Sequence, residues 1–95
     1  MLGSDYVDVL NAIYVHNKFG GRDMVVSASS IGTYLYSKLY KNINLNEFEN
    51  FKRKIRNIFN RLEDKKFITR KDGKTKSDKG KPDFEINVNF QKNNH

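Results

Sequence analysis

The sequence predicts an α+β domain: three helices, a short first strand between the first two of them, and a C-terminal β-hairpin. Periodicity, alternation and punctuation each point to it. Phe48, Phe51, Ile55, Ile58, Phe59 and Leu62 recur at three- and four-residue steps over 46–65, which sets them on one stripe of a twenty-residue amphipathic helix. Near the C-terminus the period becomes two, in Phe84-Glu85-Ile86-Asn87-Val88-Asn89-Phe90, as a half-buried strand requires. Between this strand and Lys66-Phe67-Ile68-Thr69-Arg70-Lys71 lies the polar stretch 72–83, where Gly73, Gly80 and Pro82 mark the loop of a hairpin.

The remaining elements follow in order. Ser4 is a good N-cap, and Asp5 and Asp8 favour the positive end of a first helix. Tyr6, Val9, Leu10, Ile13 and Tyr14 form its apolar stripe, and Gly20-Gly21 permits the reversal that ends it. Met24-Val25-Val26 is a short β-prone run suited to pairing with the later hairpin as a third strand. Ser27 caps a second helix running from Ala28 to about Tyr40. Ile31, Tyr34, Leu35, Lys38 and Leu39 are placed on its inner side, with the lysine stem carrying its ammonium group to the rim. Tyr36 and Tyr40 are expected to be exposed.

After the connection 40–45, Asn46-Glu47-Phe48-Glu49 opens the third helix as a capping box, with Asn46 as cap and Glu49 at N3. Lys65-Lys66 stands at its far end, where a left-handed closing residue other than glycine carries strain of about 1–2 kcal/mol. One domain over 4–90 is expected, with residues 1–3 and 91–95 as frayed termini.

Composition narrows the chemistry. Without cysteine the chain has no disulfide, no thiolate metal site and no cysteine nucleophile. His16 and His95 are far apart in sequence, and Asp5/Asp8 and Glu47/Glu49 suit helix first turns better than catalytic pairs. Gly73-Lys74-Thr75 is similar to the end of a phosphate-binding loop but lacks the preceding glycine spacing and the strand-to-helix setting. No enzyme, metal, cofactor or small-molecule ligand is expected. Neither a signal peptide nor an apolar run of about 20 residues occurs, so a soluble cytoplasmic protein is expected (in the host cytoplasm if viral).

Charge is more telling. The net charge is +7, and residues 46–95 hold fourteen Lys/Arg against eight Asp/Glu, a net of +6. A basic surplus confined to one half suggests a polyanion-binding face. It peaks in 52–61, where five basic residues occur with no acid, whereas an ordinary solvated helix face mixes both signs.

The order helix, short strand, helix, helix, strand, loop, strand is that of the winged helix-turn-helix. Ile55-Arg56-Asn57-Ile58-Phe59-Asn60-Arg61-Leu62-Glu63-Asp64-Lys65-Lys66-Phe67-Ile68-Thr69-Arg70 resembles the end of a recognition helix and the first wing strand in small bacterial and archaeal transcription regulators, including those of archaeal viruses. Ser27-Ala28-Ser29-Ser30-Ile31-Gly32-Thr33-Tyr34-Leu35 resembles the strand-to-helix entry of the same family. The resemblance implies sequence-specific binding of double-stranded DNA by a transcription regulator. Its third helix would lie in the major groove, and its basic wing (70–83) on the backbone or in the minor groove.

The residues suited to that task are present. Arg pairs bidentately with guanine and Asn with adenine, which makes Arg53, Arg56, Asn57 and Asn60 the candidates for base edges, with Arg61 on the same outer face. Lys52 and Lys54 flank them toward the phosphates. Ser29 and Ser30, near the amino end of the second helix, can present backbone N–H groups to an anion, though such serines equally serve as caps. Lys74, Lys76 and Lys79 in the hairpin loop are candidates for phosphate or minor-groove contacts, while a charged tip also simply solubilises a loop.

A homodimer is possible through the first helix, flanked by Val7 and Ala12, with Tyr36 and Tyr40 as interface aromatics. Two rival functions remain open: a winged-helix protein-interaction module, and a non-specific architectural or replication-associated DNA binder.

Overall fold

Each amphipathic segment folds as a helix, and the alternating segments pair. The computed structural model describes residues 4–20, 24–39, 42, 44–71, 74–77 and 82–87. Among these are α1 (Ser4–Phe19), α2 (Ala28–Leu39), α3 (Leu45–Asp64), β1 (Ile68–Arg70) and β2 (Phe84–Ile86). The expected termini 1–3 and 91–95, the strand extension 88–90, Tyr40 and Lys79 lie outside the described residues. The result is a small α+β domain of three helices and a two-stranded antiparallel sheet among the described residues.

The sheet pairs Ile68 with Ile86, Thr69 with Glu85 and Arg70 with Phe84. Its ladder continues past both ends, where the Asn87 N–H donates to the Phe67 carbonyl at 3.0 Å and the Lys71 N–H to the Asp83 carbonyl at 2.8 Å. The expected third strand at Met24-Val25-Val26 does not form, and residues 24–27 are irregular. Val26 does accept one backbone bond from the Phe84 N–H, at 2.8 Å. Its own N–H, however, donates to the Asp83 side chain at 2.8 Å instead of to a strand carbonyl. Asn17 of α1 then takes the next places along β2: its Nδ2 donates to the Phe84 carbonyl at 3.1 Å, and its Oδ1 accepts from the Ile86 N–H at 3.0 Å. A side-chain amide thus occupies the edge where strand pairing was expected, and backbone groups that would face solvent are satisfied.

Both ends of α3 differ from expectation. The cap is Asn44, not Asn46: Asn44 is extended (φ −106°, ψ 116°), and its Oδ1 accepts from the Glu47 N–H at 3.2 Å. Asn44 is held there by a contact distant in sequence, its N–H donating to the Tyr36 hydroxyl at 3.3 Å. Glu47, not Glu49, therefore sits at N3. At the other end Lys65 is the C-cap and Lys66 adopts φ 66°. The Phe67 N–H reaches the Leu62 carbonyl (2.9 Å) and the Lys66 N–H the Glu63 carbonyl (3.0 Å), which is the paired bonding of a Schellman exit. Phe67 then turns onto the core.

Glycine favours this left-handed position and lysine does not. Lys66→Gly is expected to stabilise the domain by about 1 kcal/mol, the relieved strain exceeding the entropy gained by the unfolded chain. A chemical-denaturation midpoint that rises at unchanged slope would show this, and a midpoint that falls would refute it.

The core lies where the three helices meet the inner face of the hairpin. Val9, Ala12 and Ile13 of α1, Ile31 of α2, Ile55, Ile58, Phe59 and Leu62 of α3, and Ile68 and Phe84 of the hairpin are all buried. Gly32 permits close approach of α2 and α3, since a β-carbon there would lie 3.2 Å from Lys52 Cγ and 3.6 Å from its Cα. The buried residues of α2 are Ile31, Gly32 and Tyr36, which is not the expected stripe. Tyr36, expected on the surface, is 3% exposed, its ring centroid 5.0 Å from Phe48 and 5.6 Å from Phe51. Leu39, expected inside, is 66% exposed at the last position of α2. Tyr14 also lies outward, its hydroxyl accepting from Lys18 at 3.3 Å. Gly20 ends α1 tightly: a β-carbon there would fall 2.4 Å from the His16 carbonyl oxygen.

Candidate nucleic-acid interface

With Ile55, Ile58, Phe59 and Leu62 turned inward, the opposite side of α3 is left to solvent. Arg53, Arg56, Asn57, Asn60 and Arg61 are all exposed there, as the periodicity requires. Arg53, Arg56, Asn57 and Asn60 make no side-chain hydrogen bond or ion pair among the described residues. Their donors and acceptors are free for an external partner.

The neighbouring cations are arranged differently. Lys54 pairs with Asp5 of α1 at 3.0 Å, and Lys52 pairs with Glu49 at 3.2 Å while lying over the Phe48 ring. Arg61 donates to the Tyr6 hydroxyl at 2.9 Å. A phenol is neutral, so this bond orients the guanidinium and leaves its charge uncompensated. The uncompensated positive charge of 52–61 therefore resides on Arg53, Arg56 and Arg61, and the two lysines form exposed or half-exposed pairs worth about 0–1 kcal/mol each. Asp5, read as a helix-dipole acid, also meets α3, and Tyr6 positions one of its arginines. Neither role has a local sequence signal, because both depend on how α1 crosses α3.

The hairpin is less basic than its composition implies. Arg70 is bound by Glu63 through both carboxylate oxygens, at 2.8 and 3.3 Å. Its guanidinium lies over the Phe84 ring, 4.9 Å from the centroid, and both partners of the ion pair are largely buried. This pair fixes the hairpin to the carboxyl end of α3 and is not available to a ligand. Lys71 meets Asp83 at 3.6 Å, and Lys76 meets Asp64 at 3.3 Å. Lys74 is exposed, with no ion pair among the described residues. The Lys76–Asp64 pair is open to solvent and easily exchanged for another anion.

At the amino end of α2, Ser27 and Ser30 cap each other. The Ser30 N–H donates to Ser27 Oγ at 3.2 Å, the Ser27 N–H to Ser30 Oγ at 2.9 Å, and the Ser30 hydroxyl to the Ser27 carbonyl at 3.1 Å. Ser30 is thereby committed to the capping box, while Ser29 points outward. Ser29, Arg56 and Asn60 line one groove of about 550 Å³ between α2, α3 and the base of the hairpin. The fold thus brings together the serine, arginine and asparagine candidates that are distant in sequence.

His16 is structural: Nδ1 contacts the Ala12 carbonyl at 2.9 Å, and the ring meets Tyr34 edge-on at 4.6 Å. No helix among the described residues is long and apolar enough to cross a membrane. No protein-family model matches the chain, and no curated protein or solved structure matches it.

Proposed function

We propose that this chain is a winged helix-turn-helix protein that binds double-stranded DNA with sequence preference, as a transcription regulator. Its third helix would enter the major groove, with the hairpin as the wing. The carrying observation is the free row Arg53, Arg56, Asn57 and Asn60 on the outer face of α3. A surface helix usually pairs its charges within the molecule or mixes their signs. Here the central polar groups are neither paired nor balanced among the described residues. An α-helix with its side chains is about 10–12 Å across, and the major groove is about 12 Å wide, so α3 fits without deforming the duplex. The groove bearing Ser29 and Arg56 is suited to a phosphate strand beside the helix, and Lys76 can exchange Asp64 for phosphate.

Fluorescence anisotropy against a duplex from upstream of the coding gene and a scrambled duplex, across a salt series, tests this. Affinity is expected to fall with a log–log slope of about −2 or steeper, from phosphate contacts of Arg56 and Arg61 alone. Arg56→Ala should make that slope shallower by about 1. Preference for one duplex of about 10³-fold would establish specific binding. Salt-dependent binding with no preference among many duplexes would favour the architectural alternative, and absence of binding at low salt would end the DNA proposal.

One observation favours the protein-interaction alternative. An apolar cleft of about 330 Å³ lies between the three helices, with Val15 and the exposed Leu39 on its rim. Of the residues suited to a homodimer, Ala12 and Tyr36 are buried and Val7 is exposed. A dimer through α1 should shift to monomer in sedimentation when Val7 is changed to Lys. Sedimentation of the unaltered chain as monomer both alone and with duplex would remove the dimer.

A further inference from the structure

The outer face of α3 carries more asparagine than a solvated helix calls for. Asn46, Asn50, Asn57 and Asn60 stand on one line with Arg53 between them, at successive steps of four, three, four and three residues, and all five are exposed. Such steps keep side chains on one side of a helix, and the stretch from Asn50 to Asn60 spans about 15 Å at the ordinary rise.

Asparagine is a poor helix residue because its amide competes for backbone hydrogen bonds. Three asparagines elsewhere use the amide in that way: Asn17 binds two backbone groups of β2, Asn44 caps α3, and Asn87 donates to the Lys66 carbonyl at 2.8 Å. Asn11 and Asn42 are exposed, but neither belongs to a row. The four on α3 have no side-chain hydrogen bond among the described residues, although each disfavours the helix that carries it. A row of unused carboxamides on a poor host has a ready explanation in an external partner.

A carboxamide presents a donor and an acceptor side by side. In the major groove this matches the N6 amino group and N7 of adenine, while a guanidinium matches O6 and N7 of guanine. We propose that α3 reads an A·T-rich site in which adenines flank a guanine, Asn50, Asn57 and Asn60 contacting adenine and Arg53 the guanine. The proposal rests on the DNA-binding reading of α3 and adds the base composition of its site. Arg56 and Arg61 lie on opposite sides of the row, toward the two phosphate walls of the groove. Asn46 sits beside Glu47, whose charge repels phosphate, and is left out of the contact set, whereas Glu49 beside Asn50 is paired with Lys52.

Selection of the full chain on a library of random duplexes, followed by sequencing, tests the proposal. The enriched duplexes are expected to be A·T-rich with one invariant guanine. Asn57→Ala and Asn60→Ala should each lower adenine preference by about 10-fold or more at one position, with scrambled-duplex affinity nearly unchanged. Both residues are exposed, and circular dichroism would verify that each variant keeps its helices. Replacing the affected adenine by 7-deazaadenine should weaken the unaltered protein and leave the matching variant unaffected. Enrichment of G·C-rich duplexes, or duplex binding without any base preference, would overturn this inference while leaving DNA binding intact. Failure to retain any duplex at low salt would overturn both.

Discussion

Phe59→Ala is expected to lower the free energy of unfolding by about 3–5 kcal/mol. Phe59 is 2% exposed and is among the largest fully buried side chains. Its ring meets Phe84 edge to face, with centroids 5.2 Å apart and planes at 78°, so it joins the inner face of α3 to the hairpin. Truncation removes the transfer energy of the ring and leaves a cavity that the surrounding core cannot close without moving. Domains of this size have a total stability of about 5–15 kcal/mol, so the variant should unfold at a much lower urea concentration. Phe59→Leu, which fills part of the space, should fall between the two. A loss below about 1 kcal/mol for the alanine variant would mean that the hairpin is not packed on α3 as described.

Asn17→Ala is expected to destabilise the domain by about 2–4 kcal/mol, more than a half-buried polar side chain ordinarily would. Its amide satisfies two backbone groups, the Phe84 carbonyl and the Ile86 N–H, on the edge of β2 away from β1. Both bonds are partly buried, so removal leaves an acceptor and a donor that water reaches only in part. Asn17→Asp provides the sharper comparison. The carboxylate still accepts from Ile86, but it sets a second acceptor against the Phe84 carbonyl. It should therefore recover less than half of the loss. Amide hydrogen exchange at Ile86 should accelerate in the alanine variant and remain slower in the aspartate variant. Equal exchange in all three proteins would show that Asn17 does not hold this strand.

These two residues differ in what a linear reading shows of them. Phe59 belongs to a stripe with Ile55, Ile58 and Leu62, and a helical period announces its burial before any fold is known. Asn17 continues the line of the α1 stripe, four residues after Ile13, but it is polar and belongs to no motif, because its partners lie 67 and 69 residues away. The same division separates the free groups on α3 from the engaged ones. Arg53, Asn57 and Asn60 are legible as an outer face because they are placed by rotation about one helix axis. That Lys54 is taken by Asp5, Arg61 by Tyr6 and Lys76 by Asp64 is a matter of how helices and hairpin cross.

Helix ends show the limit as well. Asn44 and Asn46 are both acceptable caps by residue type, and the Tyr36 hydroxyl selects Asn44 by binding its N–H. Likewise Lys66 enters the left-handed region because Phe67 must turn back onto the core, whatever the local preference of lysine.

The sequence by itself determined the three helices, the hairpin, the inner stripe of α3 and the location of its basic outer face. Those properties arise from periods of 3.6 and 2 residues and from the sign of nearby charges, all of which act over short separations along the chain. Only the tertiary structure decided that Tyr36 is buried, that Asn17 replaces a third strand, and that Arg70 is spent on Glu63. It also decided which cations of α3 stay uncompensated among the described residues. Hydrogen bonds and ion pairs act over a few ångströms in space, and which groups come that close is set by the packing of elements distant in the chain.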